Sequence, residues 1–536
     1  MSAGASHVSL VGLAPSPTAL VRAAPARAVT AVALLRCLGL LACLALPACS
    51  LMPRYHSPAN PAPTSYQQFD PARRDCQSAP LGALEQPRAA TVADMQSPCN
   101  WGPAHPSDQL PRSDWWREFG DPTLDALEAK VDAANPDLAA ALNRYQQARA
   151  LESEARSALF PTVSAQAYSN TDRQSNNRPL RSASQPDSYH DDLIGGALNY
   201  EIDLWGRVRS AVAAGAAQTQ ALSADLESVR LLLHARLALD YIALRGEDAQ
   251  RSLLEQSVVA YGRALQMTST RFEGGIASAL DVAQAQTQLE SARAALTDVI
   301  DQRTLLEHAI AALTGSIASD VSIAPGSLDL KLPSVPVAMP ATLLERRPDV
   351  AAAERTMAVF NAGIGVARAA FFPRISLAAL AGFESTQSAG LLGTPNRYWA
   401  IGPQAALTVF DAGNRRAVVA HARAQFEEAA NDYRSAVLTA FREVEDALAQ
   451  DRLLQQELEQ QQAARSAAER ALALSLNRYE NGAVNYLQVV SSQIAALQAQ
   501  RTALDLQTRE LQASVDLVRA LGGGWQADWP VTAQAQ

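Results

Sequence analysis

The sequence contains one unit written twice, and this repeat constrains the fold more than any other feature. The phrase RFEGGIASALDV fills positions 271–282, and RYENGAVNYLQV fills positions 478–489. Both phrases combine an arginine, an aromatic residue, a glycine and a Leu-x-Val ending. A Pro-Asp pair likewise stands at 136 and again at 348. A repeat of this length predicts that one structural unit is built twice.

Each copy of the unit reads as the same series of elements. A helix ends at Phe-Pro, where the proline removes a backbone donor, and a strand, a polar loop, a second strand and a very long helix follow. The glycine phrase interrupts that helix, and a further helix runs to the ALTG or ALGG ending. We place repeat 1 at residues 113–330, repeat 2 at 331–526 and a flexible tail at 527–536. The predicted strands cover about 162–172, 190–204, 374–384 and 397–410, and the long helices about 207–270 and 414–478.

The second long helix carries a coiled-coil seam. Apolar or aromatic residues recur at alternating steps of four and three, interrupted only by Asp451, and this is the spacing at which helices pack in coiled coils. About 64 residues at 1.5 Å per residue give a rod of about 95 Å. Such a rod cannot fold back into an ordinary globule and is expected to lie against other rods. The seam positions are Phe426, Ala430, Tyr433, Val437, Ala440, Val444, Ala447, Leu454 and Leu458.

Residues 1–48 read as a lipoprotein signal peptide. Arginines precede the apolar run CLGLLACLAL, which is too short to span a bilayer as a helix. The run ends in LPACS, which resembles the bacterial lipobox, so Cys49 is predicted to be lipidated and to become the first mature residue. The alternative is an ordinary signal peptide cut near Ala48, with Cys49 as a free thiol. Because Ser50 rather than an aspartate follows the cysteine, sorting to the outer membrane of a Gram-negative bacterium is expected.

Residues 49–112 read as an extended, lipid-anchored arm, because the segment is rich in Pro, Ser and Gln. Cys76 and Cys99 flank its Pro- and Gln-rich part. In an oxidising compartment these two cysteines are predicted to close a loop as a disulfide. The alternative is two unpaired thiols, and neither interpretation points to catalysis.

The four predicted strands suit the thickness of an outer membrane. No run of about 18 apolar residues follows Cys49, so a membrane-spanning helix is not expected. A protein sorted to the outer membrane can cross the bilayer as a closed β-barrel, but the smallest single-chain barrels use about eight strands. Several chains are therefore expected to pool their strands, and a trimer would give twelve. The alternative is that each hairpin packs on a soluble domain.

Several long motifs resemble those of one known family, the TolC/OprM (NodT-like) outer-membrane efflux lipoproteins. They are DLWGRVR at 203–209, ERRPDVAAAE at 345–354, GIGVARAAFFPRISLAALAGF at 363–383, RALGGGW at 519–525 and the two glycine phrases. The match covers about 113–526. The resemblance implies a mixed α/β membrane protein. Such a protein is a homotrimer with a twelve-stranded β-barrel, four strands from each chain, continuous with a long α-helical coiled-coil tunnel in the periplasm.

The same resemblance implies a function. The chain would be the passive outer-membrane exit channel of a tripartite efflux pump that exports small molecules such as drugs or other toxic compounds. The implied partners are a periplasmic membrane-fusion adaptor, an inner-membrane RND-type pump and outer-membrane lipid. Two alternatives stay open: a protein-secretion duct of the same fold, and a lipid-anchored coiled-coil scaffold without a pore.

The two glycine phrases are predicted to be tips at which the long helices turn back, at the end far from the membrane. Gly275 and Gly482 allow the reversal because glycine backbones adopt positive φ. Arg271 and Arg478 are expected to brace their own turns, and the alternative is that they contact the adaptor directly. By the resemblance, three chains place six such tips in a ring that closes the resting channel and docks on the adaptor. The alternative is that the phrases are only turns.

The resemblance also implies gate residues near the tips. In relatives an aspartate of the first phrase bonds to a tyrosine and an arginine of the second; Asp281 and Tyr479 match two of these positions, and Val484 stands at the third. Acidic residues ring the narrowest point in relatives, where this chain has the neutral Gln488 and Ser491. A narrow pore magnifies the effect of ring charges, so cation selectivity is expected to be weaker here.

No feature of the sequence points to an enzyme, a cofactor or a metal site. The seven histidines are scattered, and none pairs with another histidine or a cysteine at metal-ligand spacing. No phosphate-binding glycine loop and no nucleophile elbow appear. The net charge of -9 argues against nucleic acid as a partner.

Overall fold

The computed structural model describes residues 50–55, 66, 114–175, 177, 186–333 and 347–523. The predicted signal peptide, Cys49, the cysteine pair Cys76 and Cys99, and the tail at 527–536 lie outside these residues. A short 3-10 helix, Trp115–Phe119, precedes the first α-helix. In chain order the main elements are α1 (Pro122–Ala134), α2 (Pro136–Ser157), β1 (Thr162–Arg173), β2 (Ser188–Glu201), α3 (Arg207–Glu273), α4 (Ala279–Leu313), α5 (Pro348–Ala369), β3 (Arg374–Ser385), β4 (Arg397–Ala406), α6 (Asn414–Glu480) and α7 (Tyr486–Ala520).

The first two α-helices begin where a proline and a capping side chain coincide. α1 starts at Pro122, and the Asp121 carboxylate accepts a hydrogen bond from the Thr123 backbone N–H at 2.7 Å. α2 starts at Pro136, and the Asn135 side chain accepts hydrogen bonds from two backbone N–H groups of the first turn. Proline lacks the N–H group that a first turn leaves unpaired anyway. Local sequence therefore accounts for both starts.

The four strands form one antiparallel sheet in the order β1-β2-β3-β4. Each repeat supplies one hairpin, in which Thr162 lies opposite Asn199 in the first copy. The central pairing joins the two hairpins and places Glu201 opposite Ser376. Within the described residues, β1 and β4 are the edge strands of this sheet.

Two strands end earlier than the sequence predicts. β2 ends at Glu201, because the chain then turns and the Leu204 N–H donates to the Ile202 carbonyl at 2.9 Å. β4 ends at Ala406, opposite Arg374, because its partner strand β3 begins there. Both ends are set by the pairing and turning of the backbone rather than by the apolar pattern of the side chains.

The two long helices, α3 and α6, are 67 residues each, which corresponds to about 100 Å. Each follows a glycine with positive φ, Gly206 at 75° and Gly413 at 92°. The returning helices α4 and α7 have 35 residues each. α3 packs on α4, α6 packs on α7, and α3 also contacts α7. No span within the described helices combines the length and apolar character that crossing a bilayer requires.

The predicted seam of α6 corresponds largely to its buried face. Near its start the buried position is Ala429, and Ala430 is only partly buried, as expected when 3.6 residues per turn drift against a 3.5-residue repeat. Phe426 and Leu458 are partly buried against small satellite clusters. The fully buried seam residues are Tyr433, Val437, Ala440, Val444, Ala447 and Leu454.

The segment at 50–55 lies along α5, antiparallel to it. The Tyr55 hydroxyl donates to the Glu354 backbone carbonyl at 3.1 Å and to its carboxylate at 2.5 Å. Further along the helix, a Cβ at Gly365 would stand 2.9 Å from the Met52 Cβ, so only glycine leaves room for this passage. Tyr66 is 4% exposed and belongs to the main hydrophobic cluster. The start of the predicted arm is therefore packed on the second repeat.

Candidate functional site at the two helical tips

The first tip connects α3 to α4 and is closed by backbone hydrogen bonds. The Ile276 N–H donates to the Arg271 carbonyl at 2.8 Å, and the Gly275 N–H donates to the Phe272 carbonyl at 2.9 Å. Gly275 has a φ of 71°, a left-handed conformation that costs a residue with a Cβ about 1–2 kcal/mol. Gly275 therefore stands where the chain reverses.

The second tip, between α6 and α7, has the same backbone geometry. The Ala483 N–H donates to the Arg478 carbonyl at 2.8 Å, and the Gly482 N–H donates to the Tyr479 carbonyl at 3.0 Å. Gly482 has a φ of 69°. Each of these residues stands 207 positions after its counterpart in the first tip (482 against 275). The Arg478 side chain is exposed, so only its backbone takes part in the turn.

Arg271 connects the two tips, which corrects the expectation that it braces its own turn. Its guanidinium donates to the carbonyls of Tyr479 and Glu480, each at 2.8 Å. The guanidinium carbon also lies 4.5 Å from the centre of the Tyr479 ring, within cation–π range. The last carbonyls of a helix have no partner within it, and a cation is favourable there. Arg271 therefore caps the end of α6, a helix of the other repeat.

Two tyrosines form the hydrophobic centre of the tips. Tyr479 is 5% exposed and Tyr486 is 1% exposed, and their ring centres lie 5.3 Å apart. Both pack with Ala285 of α4 and Val489 of α7. Burial raises the pKa of Tyr486 to about 12, so this hydroxyl stays neutral at neutral pH. The cluster thus joins the two helical hairpins directly behind Arg271.

The Asp281 carboxylate is bonded within its own turn. Its Oδ2 accepts hydrogen bonds from the Ser278 backbone N–H and from the Ser278 hydroxyl, each at 2.9 Å. The Asp281 N–H donates in turn to Ser278 Oγ at 3.2 Å. This is a capping box at the start of α4. The Tyr479 hydroxyl, which the family pattern pairs with this aspartate, is buried without a hydrogen-bond partner among the described residues.

Gln488 and Ser491 lie exposed on the first turns of α7. The Ser491 hydroxyl donates to the Leu487 carbonyl at 3.0 Å. Gln488 stands in the second repeat where Asp281 stands in the first (488 against 281). The helix begins after Asn485, whose side chain forms no capping bond. The two tips share a backbone but differ at this position, with a carboxylate in one and a neutral amide in the other.

One group of buried charges away from the tips consists of residues that pair with one another. Arg303 Nε donates to Asp248 Oδ1 at 2.6 Å, and Arg245 Nη1 donates to Asp248 Oδ2 at 3.0 Å. The Gly326 N–H also donates to this carboxylate, at 3.0 Å. Such pairing is what burial of charge requires, and it fastens the segment after α4 to α3. In the part of the chain that the structure covers, no group of three or more His, Cys, Asp or Glu residues could hold a metal ion.

The fold and the tips together define a class of protein, the outer-membrane channels built from two repeats of a strand pair and a long helical hairpin. The family model for outer membrane efflux proteins matches residues 128–316 and 339–523. This match covers more than half of the chain, and the chain belongs to the outer membrane efflux protein family. Channels of this family are passive and are not enzymes, which agrees with the prediction from the sequence.

Individual relatives and a solved structure agree with this assignment. The chain is 32% identical over 463 residues to the pyoverdine export outer membrane protein OpmQ of Pseudomonas aeruginosa, covering 84% of this chain and 95% of that protein. It is 32% identical over 411 residues to the solvent efflux pump outer membrane protein SrpC of Pseudomonas putida, covering 76% and 86%. The structure of the outer-membrane channel OprN is similar with a TM-score of 0.77 and 26% identity, over 89% of this chain and 100% of that one. The predicted outer-membrane efflux function is confirmed at this level.

Proposed function

We propose that three copies of this chain assemble into the exit duct of an efflux pump and that their sheets close into one twelve-stranded β-barrel. The open edges of β1 and β4 support this, because an edge strand is a liability until another strand covers it. Four strands are also too few to close a barrel. Val163, Trp399 and Ile401 are 73%, 74% and 63% exposed on the strands, as expected for side chains that face lipid.

The long helices of the three copies would line a single tunnel. α6 exposes large apolar side chains in the single chain, with Leu438 at 61%, Leu453 at 51% and Leu474 at 66%. An isolated exposed leucine needs no explanation, but several along one rod favour packing against further helices. Neighbouring copies would supply those helices. The division into two repeats, 113–330 and 331–526, belongs to the same proposal.

The lipid anchor at Cys49 is part of the proposal, and the position of Ser50 supports it. Ser50 lies beside Gly206, between β2 and α3: a Cβ on Gly206 would stand 3.2 Å from the Ser50 Cα. An acylated residue just before Ser50 would enter the bilayer next to the sheet, where each buried CH₂ contributes about 0.8 kcal/mol. A disulfide between Cys76 and Cys99 is proposed from the oxidising compartment alone.

The tips would act as the gate and as the docking surface for a periplasmic adaptor, which connects to an inner-membrane RND-type pump. The observation that carries this proposal is the bond of Arg271 to the end of α6, since the two hairpins cannot separate at the tip without breaking it. Asp281 and Tyr479 would contribute to the closed state. Gln488 and Ser491 would leave the mouth with little selectivity for cations.

The proposed cargo is a small molecule. The relatives OpmQ and SrpC are named for the export of pyoverdine and of solvent. Both are small compounds, and their similarity to this chain favours a small-molecule pump over a protein-secretion duct. The energy for transport would come from the inner-membrane partner.

The test is the single-channel conductance of the detergent-extracted protein in a planar bilayer, with Asp281→Ala beside the parent and the exposed Asp505→Ala of α7 as a control. Small, rarely open steps in the parent and the control, with more frequent opening in Asp281→Ala, would support a duct closed at its tips. Trimers that never conduct, parent and variants alike, would overturn the duct and leave the lipid-anchored scaffold.

A further inference from the structure

We infer that Arg478 of one copy caps α3 of the neighbouring copy, through the same contact that Arg271 makes inside the chain. In this contact the Arg478 guanidinium stacks on the ring of the neighbouring Phe272 and donates to the carbonyls of the neighbouring Phe272 and Glu273. The occupant of this surface is a second copy of the chain, so the inference rests on the proposed trimer. In the trimer, the three Arg478 contacts between copies would then be equivalent to the three Arg271 contacts within the chains.

The internal repeat supplies both halves of this contact. Within one chain the arginine of the first phrase, Arg271, binds the end of the helix in the second phrase. The arginine of the second phrase, Arg478, stands 207 positions later (478 against 271). The acceptors Tyr479 and Glu480 have the counterparts Phe272 and Glu273, again at that spacing. In a closed ring, the second repeat of one copy faces the first repeat of the next.

Both partners of the proposed contact between copies, Phe272 and Arg478, are exposed in the single chain. Phe272 is 48% exposed, whereas its counterpart Tyr479 is 5% exposed beneath the guanidinium of Arg271. Arg478 is exposed, and its guanidinium forms no hydrogen bond or ion pair with any residue that the structure describes. The Phe272 ring on the first repeat and the Arg478 guanidinium on the second repeat are therefore both available for a contact between copies.

The open surface continues along α6 above the tip. Ala264 of α3 is 5% exposed, and Met267 packs on the tyrosine cluster of the tips. Their counterparts on α6 are Ala471, which is exposed, and Leu474, which is 66% exposed. The face of α6 that corresponds to the covered face of α3 is thus uncovered in one chain. A second copy fits this face because its first repeat presents the surface that the second repeat presents within the chain.

The backbone at the end of α3 can accept the guanidinium. The Phe272 carbonyl already accepts the Gly275 N–H at 2.9 Å, as the Tyr479 carbonyl accepts the Gly482 N–H at 3.0 Å. The Tyr479 carbonyl still binds Arg271, because a carbonyl oxygen has two lone pairs. The Phe272 carbonyl has the same capacity, and the negative end of the α3 dipole attracts the cation.

The inference is tested by cross-linking between differently tagged chains. Cys76 and Cys99 are replaced by serine in both chains; one chain then carries Phe272→Cys and the other Arg478→Cys. The two chains are co-expressed, extracted as trimers and treated with a short bismaleimide. Because each chain has only one of the two cysteines, a product with both tags forms only across an interface between copies. The control pair places Arg271→Cys and Tyr479→Cys on separate chains, and a single chain with both substitutions gives the product within one chain.

We expect a two-tag product from the 272/478 pair and none from the 271/479 pair. Intact trimers without a two-tag product from the 272/478 pair would overturn the inference and leave the proposed duct standing. If the parent that lacks Cys76 and Cys99 is not trimeric, the proposed assembly itself is overturned. A trimeric parent whose two single variants fall to monomers would support the contact, since both side chains are exposed in the isolated chain.

Discussion

His234 of α3 and Glu128 of α1 form a buried pair, in which the imidazole Nδ1 lies 2.6 Å from the carboxylate Oε2. The imidazole also stacks on Trp116 with 4.4 Å between ring centres. Its Nε2 lies 3.4 Å from the Asp132 carboxylate. Burial raises the pKa of Glu128 to about 7, although the hydrogen bond with His234 opposes this shift. The pair thus places a carboxyl group with a pKa of about 7 between α1 and α3.

Replacing Glu128 should alter how stability depends on pH. Because the pKa of Glu128 in the folded protein lies above its ordinary value of 4.5, its protonated form stabilises the fold fully below that value, and the stabilisation is lost as the pH rises through about 7. Glu128→Gln cannot ionise and should not show this loss. We expect the melting temperature of the parent to fall relative to Glu128→Gln between about pH 5 and about pH 8. The exposed Glu290→Gln serves as the control, and parallel curves for the parent and Glu128→Gln would contradict the prediction.

Removing the side chain of Arg271 should loosen the second tip. Arg271→Ala loses two charge-assisted hydrogen bonds and a cation–π contact, and water replaces part of them, so the net cost is about 1–2 kcal/mol. Amide hydrogen exchange at 479–486 should accelerate about five- to thirtyfold. Arg293→Ala, which removes only a surface pair with Glu290, should leave this exchange unchanged. Unchanged exchange in Arg271→Ala would show that the tyrosine cluster alone holds the tips.

Replacing either of two glycines of α3 with alanine should change the stability of the protein, and the two changes should have opposite signs. A Cβ at Gly246 would stand 2.6 Å from Thr508 Oγ1 and 3.3 Å from its Cβ. The β-branched side chain of Thr508 is stiff, so Gly246→Ala should destabilise the protein by about 1–3 kcal/mol. A Cβ at Gly262 would meet nothing within 4 Å, so Gly262→Ala should stabilise the helix by up to about 1 kcal/mol. Thermal unfolding in detergent measures both, and equal shifts would show that packing against Thr508 does not decide the outcome.

Introducing an acid at Gln488 should increase the preference of the channel for cations. If Gln488 lies at the mouth of the duct as proposed, Gln488→Glu adds one negative charge per chain there, and a narrow pore strengthens its field. The reversal potential across a salt gradient should shift towards the equilibrium potential of the cation. Gln488→Asn should leave the reversal potential unchanged. Identical reversal potentials for the parent and Gln488→Glu would place Gln488 outside the conduction path.

The order of elements was predictable from the sequence, because the repeat makes each element visible twice. The capping box is also readable from the sequence, since Ser278 and Asp281 have the spacing of that motif. The strand ends at Glu201 and Ala406 were not predictable, because they depend on where the partner strand begins or where the chain turns.

The role of Arg271 could not be predicted in the same way. Its acceptors are backbone carbonyls at Tyr479 and Glu480, more than two hundred positions away. Every residue has a backbone carbonyl. No pattern of side chains therefore indicates which carbonyls at a helix end will accept hydrogen bonds from an arginine. Only the packing of α3 against the second hairpin brings them within reach.

The difference between Asp281 and Gln488 has a consequence for how such a mouth evolves. An ancestor made of six identical subunits would change the same position six times with each substitution. In the proposed trimer, a substitution at Gln488 would appear three times and would leave the three copies of Asp281 as they were. Fusion of two repeats into one gene thus halves the smallest step in ring charge that a single mutation can make. It also lets one half of the proposed ring change its charge while the other half stays the same.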